Sequence, residues 1–229
     1  LRASATRPRA AGRWSLVSVL GGDGARPTEV ALARATALLE RYGVLTREAV
    51  LAEGLPGGFS SLYPVLRAME ESGRIRRGYF VEGLGGSQFA LPGAVERLRG
   101  HREPADRVTA LAATDPANPF GAVLPWPSPT LLEEGGPAPR LARAAGAYVV
   151  LQDGDLRLYL ERGGRTLWTR GEVTKAQVEG LRRVATRAGK VEVQRIDGVP
   201  PHASPLGEVL RQAGFGVTPR GLVAWPAPR

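Results

Sequence analysis

The fold turns on one stretch, Gly57-Gly58-Phe59-Ser60-Ser61-Leu62-Tyr63-Pro64-Val65-Leu66-Arg67-Ala68-Met69-Glu70-Glu71-Ser72-Gly73-Arg74-Ile75-Arg76-Arg77-Gly78-Tyr79-Phe80. Leu62, Val65, Leu66 and Met69 recur at i, i+3, i+4 and i+7, the spacing that gives a helix one apolar face. Gly73 stops that helix, and Arg74 to Phe80 reads as a basic strand. Ser60, Ser61, Tyr63 and Arg67 are left to other faces. A helix followed by a basic β-wing predicts a winged-helix unit and makes nucleic-acid binding the leading expectation.

Working outward, the preceding residues read as scaffold. Pro27-Thr28 opens a first helix with Thr28 as its cap, and Val30, Leu32, Ala35, Leu38 and Leu39 supply apolar positions up to Tyr42-Gly43. Thr46 caps a short second helix from Arg47 to Ala52. After the recognition helix, Arg74 to Phe80 and Ser87 to Leu91 pair around the tip Glu82-Gly83-Leu84-Gly85-Gly86, where glycine permits positive φ. Ala94 to Arg99 is a last short helix. Upstream, residues 1–13 form a linker and Gly12 to Val17 holds a short strand anchored by Trp14.

From residue 101 to 146 the chain is proline-rich, with Asp115-Pro116-Ala117-Asn118-Pro119-Phe120-Gly121 and Leu124-Pro125-Trp126-Pro127, and cannot be helix interior. It reads as an extended, ordered connector anchored by Phe120, Leu124 and Trp126. From Ala147 the apolar period becomes two. Strands at 147–152, 156–161, 166–170 and 191–196, a helix at 174–188, a short helix from Ser204 to Ala213 and a closing hairpin predict a β-rich unit, either α+β or barrel-like. The expected fold class is therefore α+β, with a winged-helix domain over 14–100 followed by this unit over 147–229.

Composition narrows the chemistry. Among 229 residues, 31 Lys+Arg against 22 Asp+Glu give +9, and Lys175 and Lys190 are the only lysines. The arginine excess fits a polyanionic partner, and equally a high-GC coding bias. With no cysteine, disulfides, thiolate nucleophiles and cysteine-ligated metals are excluded, which agrees with a reducing cytoplasm. His101 and His202 are too few and too far apart for a His-rich metal site. No apolar run is long enough to span a bilayer. The chain starts at Leu1 without a Met, which reads as a fragment of a longer polypeptide.

The candidate nucleic-acid contacts are Ser60, Ser61, Tyr63 and Arg67 on the helix and Arg74, Arg76 and Arg77 on the wing, where alternation puts Arg74 and Arg76 on one face with Ile75 opposed. Docking of another protein is the competing use of such a helix. Gly83-Leu84-Gly85-Gly86 has no following Lys-Ser/Thr and precedes a strand, so it is not a phosphate loop. Asp153 and Asp155 flank a hairpin turn, where Asp serves local geometry rather than a metal. Asp106, Asp115 and Asp197 are carboxylates of the kind that assist base excision, and their spacing singles out none of them.

Several strings carry a family resemblance: Gly12-Arg13-Trp14-Ser15-Leu16, Gly58-Phe59 through Leu66, Arg76 to Phe80, Gly85 to Ala90, Asp115 to Gly121, Leu124 to Pro127 and Ser204-Pro205-Leu206-Gly207. Together they resemble the C-terminal region of bacterial large helicase-related (Lhr) proteins, over nearly the whole chain. The resemblance implies a superfamily 2 DNA helicase acting in repair, a hydrolase whose ATP and Mg are held by an upstream motor. This chain contains no motor motif and holds no cofactor itself. The implied partners are DNA, single-stranded or junctional, the upstream helicase domains and a possible homo-oligomer. The C-terminal extension of the family is similar in plan to winged-helix DNA glycosylases that release damaged bases, and the resemblance implies uracil excision for some family members. Their Gln-x-Gln pattern is not matched, the nearest string being Gln88-Phe89-Ala90, so no catalytic residue is carried over.

Overall fold

A computed structural model describes residue 16 and residues 24–101, 104–127 and 140–226. The linker over 1–13 and the strand around Trp14 lie outside the described residues. The first unit is built from α1 (Pro27–Tyr42), β1 (Val44–Leu45), α2 (Arg47–Ala52), α3 (Gly58–Glu71), β2 (Arg76–Gly78), β3 (Gln88–Ala90) and α4 (Ala94–Gly100). Its three strands pair in the order β1-β3-β2, all antiparallel. Leu62, Leu66 and Met69 of α3 are buried with Leu38, Leu39, Leu45, Val50, Ile75 and Phe89 in one apolar cluster, while Val65 is only half-buried at its edge. That stripe fixes which side of α3 faces solvent.

Local chemistry sets the element ends. Thr46 Oγ1 accepts from the Ala49 amide at 3.1 Å and caps α2. Thr28 does not cap α1. The helix starts at Pro27, whose missing amide suits a first turn, and Arg26 occupies the cap position with its own amide donating to Glu29 Oε2 at 3.1 Å. Gly73, at φ +73°, lets the chain leave α3 and return its next two amides to the Met69 carbonyl.

The second unit contains β4 (Val108–Ala112), β5 (Tyr148–Gln152), β6 (Asp155–Leu160), β7 (Thr166–Thr169), α5 (Lys175–Ala188), β8 (Val191–Val193), β9 (Arg195–Ile196), α6 (Pro205–Gln212), β10 (Gly216–Thr218) and β11 (Gly221–Ala224). A five-stranded sheet runs β4-β5-β6-β7-β9 and a three-stranded one β10-β11-β8. The overall class is α+β, and among the described residues no sheet closes into a barrel. Alternation works on both faces of the larger sheet. Val150, Leu158, Leu160 and Leu167 face α5 and the smaller sheet, whereas Val149, Leu151, Tyr159 and Trp168 face the proline-rich segment.

That segment is more than a connector, because residues 108–112 form β4 and pair with β5. Beyond β4, Phe120 stacks on Trp126 with ring centres 6.2 Å apart, and Trp126 meets Tyr159 edge-on at 5.6 Å. Arg143 clamps the segment. Its guanidinium donates to the carbonyls of Thr114, Asp115, Asn118 and Phe120 at 2.6–3.3 Å. Proline-rich backbone cannot satisfy its own carbonyls through a helix or ladder, so a five-donor fork is a suitable partner. On the outer edge, Arg183 and Arg187 of α5 donate to the β4 carbonyls of Val108 and Ala110, covering an edge that would otherwise invite another strand.

Candidate nucleic-acid interface

The seven predicted contact residues separate into distinct groups. Ser60 and Ser61 are exposed in the first turn of α3, and Ser61 Oγ donates to the Gly58 carbonyl at 2.7 Å. Pro64 lies inside this helix and supplies no amide, which releases the Ser60 carbonyl from its usual i→i−4 bond. Tyr63 is half-buried, and its ring lies against Phe59 and Phe89 with centres 6.1 and 6.2 Å away. Its ring thus belongs largely to the core. Arg67 pairs with Glu71 one turn on, Nε to Oε1 2.8 Å, in a pair both of whose side chains are mostly exposed.

The wing arginines part company. In register, Arg77 stands opposite Phe89, on the sheet face that α3 covers, and its Nε reaches Glu70 Oε1 at 3.3 Å. Tyr63, Arg67, Glu70, Glu71 and Arg77 therefore surround one shallow depression in which two cations meet two anions. Arg74 lies on the other side of α3, beside a groove lined by Thr28, Leu32, Pro64, Val65 and Ala68. Arg74 and Arg76 are exposed and make no ion pair among the described residues. Ile75 between them is buried, as the alternation requires.

One residue that sequence reasoning passed over holds the wing together. Gln88, fully buried, accepts from the amides of Phe80 and Val81 through Oε1, both at 2.8 Å, and donates through Nε2 to the carbonyls of Val81 and Leu84, both at 3.0 Å. All of its amide capacity is committed to the loop, which explains the buried glutamine without chemistry. Gly78 contributes as well: a Cβ there would crowd the Phe80 ring at 3.2 Å, so the ring folds back over the glycine. Tyr79, between them, is turned out and 91% exposed.

The carboxylates considered for base excision are tied up locally. Asp115 caps a turn by accepting from the Ala117 amide, and Asp106 accepts from Gln152. Asp153 accepts from the amides of Ala105 and Arg107, so this turn residue also fixes the start of β4. Among the described residues no group of three or more His, Cys, Asp or Glu gathers for a metal. Asp197 is the most sheltered, with its two oxygens accepting from the amide and the hydroxyl of Thr169, each at 2.7 Å. Burial pushes its pKa above the ordinary carboxylate value, with the Thr169 bonds pulling the other way. A carboxyl whose pKa is higher folded than unfolded favours folding at acid pH and loses that advantage as pH rises through the folded value. Asp197→Asn keeps an acceptor for the amide and a polar partner for the hydroxyl. Thermal melts at about pH 7 should place it at or slightly above wild type, with the gap closing towards about pH 4. A clear drop at neutral pH would instead show that the anion is needed.

Residues 24–110 match the winged-helix domain of large helicase-related proteins. The chain is 43% identical, over 95% of its length, to a protein of Mycolicibacterium smegmatis described as an Lhr helicase and probable uracil glycosylase. It is 41% identical, over 96% of its length, to an Escherichia coli protein described as an Lhr helicase and uracil glycosylase. The chain spans only 15% and 14% of the lengths of these two relatives. With a matching winged-helix domain, and an identity that runs on through the β-rich unit, the chain belongs to the large helicase-related family.

Proposed function

We propose that this chain is a DNA-holding part of a large helicase-related DNA helicase acting in repair, and that its winged helix grips the sugar-phosphate backbone from the wing side. On this reading ATP and Mg are handled by a motor elsewhere in the longer protein, in the cytoplasm. The observation that carries the proposal is the pair of exposed guanidiniums, Arg74 and Arg76, which have no carboxylate partner among the described residues and sit at the base of a wing locked by Gln88. Free guanidiniums attract phosphates without first having to surrender another anion. Arg67 adds a reserve, since an exposed ion pair such as Arg67–Glu71 is worth at most about 1 kcal/mol and exchanges readily for a phosphate.

Fluorescence anisotropy of a single-stranded oligonucleotide titrated at several salt concentrations tests this. Affinity should fall steeply with salt, and Arg74→Ala with Arg76→Ala together should flatten the slope of log K against log salt by up to about 1.4, or about 0.7 per phosphate contact. An unchanged slope removes the wing from the interface. Uracil excision, ascribed to both relatives by their descriptions, is the second reading. It ranks lower for this chain because Asp106, Asp115 and Asp197 are each engaged by neighbouring groups.

A further inference from the structure

We propose that Tyr79 is a stacking platform for an unpaired nucleobase, so that the wing of this domain selects single-stranded over fully paired nucleic acid. The inference rests on the DNA-holding reading and goes beyond it by naming a base contact and a strand preference. Tyr79 is the most exposed large apolar side chain among the described residues, at 91%. Its backbone is nonetheless fixed on both sides. Gly78 ends β2 with the Phe80 ring packed over it, and the amides of Phe80 and Val81 are held by Gln88. A bare aromatic ring on a constrained hairpin costs little entropy when it binds a flat partner.

Charge identifies the partner. Arg76 and Arg77 lie three and two residues before Tyr79, roughly 10 and 7 Å along extended backbone. One nucleotide can therefore rest its base on the ring while its phosphate meets a guanidinium. Of the acids near this strand, Glu70 is engaged by Arg77 and Glu71 by Arg67, which leaves Glu82 at the wing tip. An aromatic face beside arginine matches the combination that single-strand binders use, because every base has a π-face and no hydrogen-bond code is needed. A base within a duplex has its faces covered by its neighbours, so it has none to offer the ring.

The test compares the 229-residue chain with its Tyr79→Ala and Tyr79→Trp variants on three ligands: a single-stranded oligonucleotide, the same strand made entirely of abasic sites, and the duplex. Tyr79→Ala should weaken single-strand binding roughly 5- to 100-fold with the salt slope unchanged, and Tyr79→Trp should restore it. Binding to the abasic strand and to the duplex should hardly move. Equal single-strand affinities for wild type and Tyr79→Ala, or an equal loss on the abasic strand, would overturn the stacking role and leave the arginine contacts standing. Failure of the wild-type chain to bind any of the three would overturn both readings.

Discussion

Replacing Gln88 with alanine is expected to cost about 2–4 kcal/mol of stability and to abolish the wing's contribution to DNA binding. The side chain makes four hydrogen bonds to loop backbone from a fully buried position, and each buried partner left without a bond costs about 1–3 kcal/mol unless the loop opens to water. Opening is the cheaper outcome, since the tip from Glu82 to Gly86 is already exposed or half-buried. The wing then loses its fixed shape and Tyr79 its fixed position. Gln88→Glu makes a sharper comparison: it keeps the acceptor for the two amides but replaces the donating NH2 with a second oxygen facing the Val81 and Leu84 carbonyls and buries a charge, so it should be at least as damaging near pH 7. Urea melts report the stability loss. The functional side is read from a double-mutant cycle, because once Gln88 is gone Tyr79→Ala should add little further loss of single-strand affinity. Full additivity would mean that the wing keeps its shape without the glutamine.

What could be read in advance depended on whether the information is local. The α3 stripe, its glycine stop, the Thr46 cap and the Asp153-Gly154 hairpin are periodicities and turn chemistries carried by adjacent residues, and the chain folds accordingly. β4 was not legible, because Val108 to Ala112 is a short, weakly alternating run beside prolines whose partner strand begins 36 residues beyond its end, at Tyr148. The same reason hid the clamps. Gln88 and Arg143 bond backbone groups that only tertiary structure brings within reach, and no spacing rule marks a side chain whose partners are carbonyls and amides. In the candidate site, the identities of the wing arginines were plain but their directions were not. Register opposite Phe89 turns Arg77 onto α3 and into Glu70, so of the three wing cations one is paired and two have no ion-pair partner among the described residues.

In the β-rich unit the largest effect is expected from a single methyl group, in Gly207→Ala. The short 3₁₀ turn Pro201–Ala203 runs straight into α6, with the Ser204 amide bonded to the Pro201 carbonyl at 3.2 Å and the Gly207 amide to the Ser204 carbonyl at 2.9 Å. A Cβ on Gly207 would fall on the Pro201 carbonyl, so the obstacle is backbone and no side chain can swing aside to relieve it. The helix must then move off the turn, taking with it Leu210, which is buried in the same cluster as Phe215, Leu222 and Val193. Overpacking of this kind costs about 1–3 kcal/mol and occasionally more, and a backbone obstacle puts Gly207 at the upper end. Gly100→Ala is the matched control, since a Cβ at the end of α4 meets nothing within 4 Å and alanine favours helix. The winged helix has its own apolar cluster, built on Leu62, Leu66 and Phe89, so the damage should be uneven. Hydrogen exchange followed by mass spectrometry should show protection lost across 204–224 and kept across 62–89, with single-strand binding retained at low temperature. A uniform loss of protection would mean instead that the two clusters melt as one cooperative unit, and that the wing depends on the β-rich unit for its stability.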